Sequence, residues 1–171
     1  PAPLKLAVCV TDAAKAGASS LLVPDVPLEE GRTLRDACRR HGLANVMLAG
    51  PRTATERLDA IAAAADGFVY LTGHQGVTGS GGGDAQRSAR VRAVAERLRR
   101  PLCVGFGLQG RDDVAATFAA GAQIAVVGSH LIRFVERHLP ARERLLQHFA
   151  AAVRDLLPAP VTNGTPPCSS S

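Results

Sequence analysis

Two glycine-containing turns in the second half of the sequence have the composition of an anion-binding site. Gly105-Phe106-Gly107 ends one apolar run, and Gly128-Ser129 ends the next and precedes a helical pattern. Glycine lets backbone N–H groups approach an anion closely, and a helix N-terminus adds its dipole. Because the two turns follow successive predicted strands, the pattern favours a phosphate site over glycines that only close tight turns.

A third segment, residues 72–83, is rich in glycine and connects a strand pattern to a helix pattern. This composition is compatible with a mobile lid over a ligand and equally with a flexible surface loop. His74 lies in this segment and is a candidate acid or base, but a loop histidine without an evident partner is more often solvated.

Asp25 follows the apolar run 20–23, where its carboxylate can face a ligand or can cap the next turn. No metal site is predicted, because the remaining histidines lie on or beside predicted helices without metal-ligand spacing. These are His41, His130, His138 and His148.

Composition narrows the class of protein. The 171 residues, 46% apolar and 20% charged, suit one globular domain, and no apolar run has the roughly 20 residues of a membrane span. The net charge of +5 suggests nucleic-acid binding, but 4% aromatic residues and no recognised motif argue against it.

The cysteines form no CxxC pair, and Cys9 and Cys103 lie in apolar runs, where they are expected to pack as small hydrophobes. With no signal-peptide pattern, these features predict a reduced, cytoplasmic protein.

Five short apolar runs predict strands buried on both faces of a parallel sheet. They are Ser20–Val23, Asn45–Ala49, Phe68–Thr72, Leu102–Phe106 and Ile124–Val127. Amphipathic patterns predict helices over Leu28–His41, Ala85–Arg100, Asp112–Ala120, Ser129–Leu139 and Ala141–Leu157. A further helix is predicted over Leu4–Ala16, although its run 6–10 also fits a strand.

Local signals place some helix ends. The helix from Leu28 carries Glu29 and Glu30 in its first turn and ends before Gly42. The run TATE at residues 53–56 has the pattern of a capping box and predicts the start of another helix.

This alternation of strands and helices predicts an α/β fold, either a doubly wound sheet or part of a (β/α)8 barrel. A complete barrel needs eight strands, and this chain provides about five βα units. We expect one partial-barrel domain over residues 1–157, followed by a disordered tail over 158–171 that is rich in Pro, Ser, Gly and Thr.

Several segments in series resemble the tryptophan synthase alpha chain family. They are LLVPDVPLEE (21–30), GFVYL (67–71), GVTG (76–79), VGFG (104–107), AGA (120–122) and VVGS (126–129). The similarity runs from about Asp12 to Leu157, and it implies the last five strands of a (β/α)8 (TIM) barrel.

The resemblance also implies a function. Alpha chains of this family cleave indole-3-glycerol phosphate, in a retro-aldol step, to indole and glyceraldehyde 3-phosphate. They need no cofactor of their own, and they pass indole to a beta chain that carries pyridoxal phosphate, in an α2β2 assembly.

By the same resemblance, four residues would hold the substrate phosphate: Gly79, Gly107, Gly128 and Ser129. Tyr70 and Phe106 would line the substrate pocket, and Thr78 would belong to the closing loop. Asp25 is a further pocket candidate because of its position at the end of a predicted strand.

The sequence departs from the family pattern in two places. The family usually carries Ser-Arg where this chain has Gly73-His74-Gln75. The sequence therefore does not decide whether this loop closes as it does in the family. The family's catalytic Glu and Asp lie at and just after its second strand, and no residue here can be assigned their role.

Three hypotheses follow. The first is an incomplete alpha chain that is inactive alone. The second is a non-catalytic relative that binds phosphate or docks on a beta chain. The third is another phosphate-binding barrel, such as a stand-alone indole-glycerol phosphate lyase.

Overall fold

The computed structural model describes residues 3–73 and 84–158. The strands are β1 Ser20–Leu22, β2 Ala44–Ala49, β3 Val69–Leu71, β4 Leu102–Val104 and β5 Ile124–Ala125. The helices are α1 Pro3–Lys15, α2 Arg32–Arg40, α3 Thr55–Ala64, α4 Asp84–Arg97, α5 Arg111–Ala119, α6 Ser129–His138 and α7 Arg142–Leu156, with a 3-10 turn at Leu139–Ala141. All five predicted strands are confirmed, and the run 6–10 is helical.

The strands form one parallel sheet in the order in which they occur along the chain, β1-β2-β3-β4-β5. A doubly wound sheet reverses its strand order at a switch point, and this sheet does not. Sequential parallel strands joined by helices are the arrangement of a (β/α)8 barrel. The prediction of a partial barrel with five βα units is therefore confirmed.

Side chains alternate across the sheet. Val69 and Leu71 of β3 are fully buried against the helices, whereas Tyr70 between them lies on the opposite face, beside Cys103 of β4 in register. The core around Val69 and Leu71 includes side chains of α3, α4 and β4: Leu58, Ile61, Val91, Val94, Leu102 and Val104. A smaller cluster joins α1 to α2 through Val10, Leu34, Ala37, Cys38 and Leu43. The helices thus cover one face of the sheet and leave Tyr70 on the other.

Left-handed glycines end several of the described helices, and the one after α2 was predicted. Gly42 follows α2 with φ +69°, the N–H of Gly42 donates to the Arg39 carbonyl (3.2 Å), and that of Leu43 donates to the Cys38 carbonyl (2.9 Å). This pair of bonds is the Schellman motif, which requires a left-handed residue. Gly121, with φ +101°, ends α5 in the same way.

The predicted start of α2 is wrong. The helix begins at Arg32, with Gly31 at its N-cap, and residues 28–31 form turns. The Arg35 guanidinium donates to the Leu28 carbonyl (2.9 Å), which holds the chain in these turns. Glu29 is therefore not in a first helical turn and instead pairs with Arg57 of α3.

The capping box at residues 53–56 does not form. Ala54 is the N-cap of α3, and none of the described side chains caps this helix end. The Thr53 hydroxyl instead accepts a bond from the Gly50 N–H (2.8 Å), which closes the preceding turn.

The two cysteines of apolar runs differ. Cys103 is buried, as expected, but Cys9 is exposed. Because Val10 is fully buried, its helical neighbour Cys9 points about 100° away from the core.

Candidate functional site

Tyr70 and Gly105 meet where β3 and β4 end. The Tyr70 hydroxyl lies 3.5 Å from the Gly105 carbonyl oxygen, and a Cβ built on Gly105 would lie 1.7 Å from that hydroxyl. Glycine at this position therefore leaves room for the phenol. Burial raises the pKa of Tyr70, and the neighbouring Cys103 raises it further, so the phenol is neutral at physiological pH.

Phe106 lies against the chain that follows β3. A Cβ on Gly73 would be 2.8 Å from the Cβ of Phe106. The segment after β3 and the segment after β4 are therefore in contact through the Phe106 side chain. Phe106 also packs against the core on the helical side of the sheet. The predicted pocket residues Tyr70 and Phe106 thus lie on adjacent strand ends, each packed against a glycine of the other's strand–loop segment.

Gly107 forms a left-handed turn at the end of β4. Its φ is +68°, a conformation that side-chain-bearing residues rarely adopt. The Gly107 carbonyl accepts a hydrogen bond from Arg87 Nη1 at 3.0 Å. The predicted phosphate residue is therefore fixed by a side chain from α4.

Gly128 and Ser129 form the N-terminal end of α6. Gly128 is the N-cap, Ser129 begins the helix, both are exposed, and a Cβ on Gly128 would meet nothing within 4 Å. No side chain of the described residues caps this helix end. Its first N–H groups are thus left without a side-chain acceptor among the described residues, and together with the helix dipole they favour an anion.

Asp25 is exposed in the loop that follows β1. A cavity of about 240 Å³ lies between this loop, β2 and α3, and it is lined by the neighbours of Asp25 but not by Asp25 itself. Its lining includes Pro24, Val26, Met47, Thr53, Arg57 and Ile61. The predicted site residues Gly79 and Thr78, and the candidate acid or base His74, lie outside the described residues.

Sequence reasoning missed two arginines of α4. Arg87 reaches the loop after β4, and Arg90 donates to the carbonyls of Gly50 (3.4 Å) and Thr53 (3.2 Å) in the loop after β2. Their spacing of three residues places them on neighbouring positions of one helix face. Two arginines at this spacing, directly after a glycine-rich segment, were the sequence signal that could have identified them.

None of the helices in the described residues is long and apolar enough to cross a membrane. Nor do residues 3–73 and 84–158 contain a group of three or more His, Cys, Asp or Glu side chains that could hold a metal ion.

Comparison with known proteins identifies a family. The model of the tryptophan synthase alpha chain family matches residues 6–159. Among curated relatives, the tryptophan synthase alpha chain of Synechococcus sp. is 42% identical over 125 residues, which are 71% of this chain and 45% of that protein. That of Opitutus terrae is 37% identical over 152 residues, 86% of this chain and 56% of that protein. The chain spans about half the length of the curated relatives it matches.

Solved structures give the same result. The tryptophan synthase a2b2 complex from Pyrococcus furiosus contains a chain that is 27% identical, with a TM-score of 0.74 over 88% of this chain and 59% of that chain. The tryptophan synthase A-subunit of the same organism gives a TM-score of 0.76 at 28% identity, over 88% of this chain and 60% of that chain.

Proposed function

The chain belongs to the tryptophan synthase alpha chain family, and on that premise we propose that it binds indole-3-glycerol phosphate at the carboxyl ends of β3, β4 and β5. The observation that supports this most is the end of the sheet itself. There the left-handed turn at Gly107 follows the Tyr70–Gly105 contact, and the next strand leads into the uncapped N-terminus of α6. Indole-3-glycerol phosphate has an apolar indole ring and a phosphate, and these match a neutral phenol beside exposed backbone amides.

We propose individual roles for the predicted residues. Gly107, Gly128 and Ser129 hold the phosphate, together with Gly79. Tyr70 and Phe106 line the pocket for the indole-glycerol part, Asp25 lies at its mouth, and Thr78 belongs to the loop that closes over it. These roles come from the resemblance, and for the described residues they are consistent with the exposed N-terminus of α6 and the packing at the strand ends.

Turnover is a separate part of the proposal. The reaction is the lyase step, retro-aldol cleavage to indole and glyceraldehyde 3-phosphate, and it needs a general acid and base. Each such group contributes roughly 10²–10⁴-fold to the rate. The resemblance assigns no residue of this chain to the role of the family's Glu or Asp, and we therefore propose that these 171 residues bind substrate and do not cleave it alone.

The partner is part of the same proposal. Alpha chains of this family carry no cofactor, and pyridoxal phosphate belongs to the beta chain. The similar Pyrococcus furiosus protein was solved as an a2b2 complex, and we propose a beta chain as the partner here. A tryptophan synthase beta subunit, titrated with this chain, would then convert indole to tryptophan at a changed rate.

Calorimetric titration with indole-3-glycerol phosphate tests the binding site through two matched variants. Gly128→Asp and Gly110→Asp each place a carboxylate at a helix N-cap with open space around it, which stabilises the helix. Only the carboxylate at 128 would compete with the phosphate for the α6 amides. We expect the dissociation constant to rise at least tenfold for Gly128→Asp and less than twofold for Gly110→Asp.

Two results would contradict the proposal. Equal binding by wild type and Gly128→Asp would place the phosphate elsewhere. Indole release above the uncatalysed rate, measured on the chain alone, would show that an acid and a base are present among these residues.

A further inference from the structure

Arg87 makes an ion pair that is largely shielded from solvent. Its Nη1 donates to the Gly107 carbonyl at 3.0 Å, and its Nη2 pairs with one carboxylate oxygen of Asp113 on α5. The side chains of this pair are 9% and 16% exposed, whereas those of the Arg97–Asp59 pair, which also involves α4, are 44% and 53% exposed. The Arg87 pair is thus shielded from the water and salt that weaken surface pairs.

The contacts of Asp113 continue into the loop. Its second carboxylate oxygen accepts the backbone N–H of Gln109 at 2.7 Å, and the Gln109 side-chain oxygen accepts a bond from Arg133 Nη2. Arg133 lies on α6, four residues after Ser129. An unbroken series of hydrogen bonds therefore runs from α4 through the loop after β4 to α6.

We propose that Arg87, Asp113, Gln109 and Arg133 are positioning residues that fix the two phosphate-binding segments relative to each other. Arg87 holds the left-handed turn at Gly107, and the Gln109–Arg133 bond sets that loop against the first turns of α6. The proposal rests on the proposed function, because it takes Gly107 and Ser129 as phosphate ligands. Arg87 is assigned a positioning role because its guanidinium bonds both the Gly107 carbonyl and the Asp113 carboxylate.

The geometry explains why arginine is needed at position 87. A planar guanidinium can bond a carbonyl and a carboxylate at once, in a fixed fork. A lysine keeps the charge but offers a single nitrogen, so it cannot reproduce both contacts in the same way. Comparison of Arg87→Lys, which keeps the charge, with Arg87→Met, which removes it, therefore separates the positioning effect of Arg87 from the effect of its charge.

Amide hydrogen exchange without ligand, on the chain as it exists, is the first measurement. We expect the hydrogen-bonded amides of Gly105 and Gln109 to exchange at least tenfold faster in Arg87→Met and about threefold faster in Arg87→Lys. Arg97→Met, on the same helix but in an exposed pair, is the control and should change exchange there less than twofold.

Titration with inorganic phosphate is the second measurement. We expect its dissociation constant to rise at least fivefold in both Arg87 variants and to stay within twofold of wild type in Arg97→Met. A weaker phosphate affinity without faster ligand-free exchange would mean that Arg87 contacts the anion directly, which would overturn the positioning role. Faster exchange with unchanged affinity would overturn it as well.

Gln109→Ala supplies the test if Arg87→Met does not fold. It removes the link to Arg133 and leaves the buried ion pair and the Gln109 backbone N–H in place. Faster exchange at residues 132–134, the first α6 amides that donate within the helix, would support the proposal, and unchanged exchange there would overturn it. If wild type binds no phosphate at residues 107 and 128–129, the proposed function fails and the phosphate role fails with it, while ligand-free exchange still decides whether these bonds hold the loops.

Discussion

Replacement of Gly105 by alanine would put a methyl group into the space that the Tyr70 phenol occupies. The new Cβ would lie 1.7 Å from the Tyr70 hydroxyl and 2.2 Å from the ring carbon that bears it, and both must move beyond 3.0 Å. Rotation of the ring about its own axis moves neither atom. The whole side chain must therefore swing away from β4 or the strand must shift.

The free-energy cost of Gly105→Ala depends on which of these groups can move. Overpacking of this kind typically costs about 1–3 kcal/mol. Tyr70 is only partly buried and can turn away from β4, so we expect about 1–2 kcal/mol, in the lower half of that range. In a Tyr70→Ala background the obstacle is gone, and Gly105→Ala should be neutral or should stabilise by up to about 1 kcal/mol through the unfolded chain.

Urea unfolding of the four chains of this double-mutant cycle measures the coupling. With a slope of about 2 kcal/mol/M, the single variant should unfold at a urea concentration about 0.5–1 M lower than wild type. Gly50→Ala is the control, because its Cβ would meet only the Thr53 hydroxyl at an ordinary 3.5 Å. Equal costs of Gly105→Ala in the two backgrounds would refute the steric argument.

Three further predictions concern packing, backbone conformation and a buried thiol. Leu71→Ala removes a fully buried side chain and should lower the free energy of unfolding by about 2–5 kcal/mol, whereas Leu146→Ala, at an 81% exposed position, should change it by less than about 0.5 kcal/mol, both measured by urea unfolding. Gly42→Ala should cost about 1–2 kcal/mol in the same assay through its left-handed φ of +69° alone, since nothing lies near its Cβ; no measurable cost would contradict this. Burial raises the pKa of Cys103 to about 11, so iodoacetamide at pH 8 should alkylate it at least tenfold more slowly than exposed Cys9, as mass spectrometry of peptides would show. Because this folded-state pKa lies above the usual 9.0, the stability that the neutral thiol contributes is complete below pH 9 and is lost as the pH rises toward 11.

The strands were predictable because their runs are mostly apolar at successive positions. In β3, Val69 and Leu71 are buried against the helices and the partly buried Tyr70 faces the other side, so the run lacks the charged face of an amphipathic helix. The structure shortens most of the predicted strands at their C-terminal ends, as at Phe106, because the chain leaves the ladder to form the loops of the candidate site.

Helix starts were less predictable because a polar side chain can bond either a nearby helix end or another partner. Thr53 has the residue type and spacing of a capping residue, but its hydroxyl bonds the Gly50 N–H instead. Glu29 suits a first helical turn, but it pairs with Arg57, which is 28 positions away along the chain. Only the folded arrangement decides between a local partner and a distant one.

The same reason hides the arginines of α4 from sequence analysis. Arg87 and Arg90 read as ordinary polar positions of an amphipathic helix, and their partners lie 20 to 40 residues away. In the structure they bond the loops on either side of β3, one after β4 and one after β2. Because both side chains belong to one rigid helix, a displacement of α4 must stretch the bonds to both loops together. The position of α4 therefore sets the position of two loops at the mouth of the sheet, a role that no single residue type reveals.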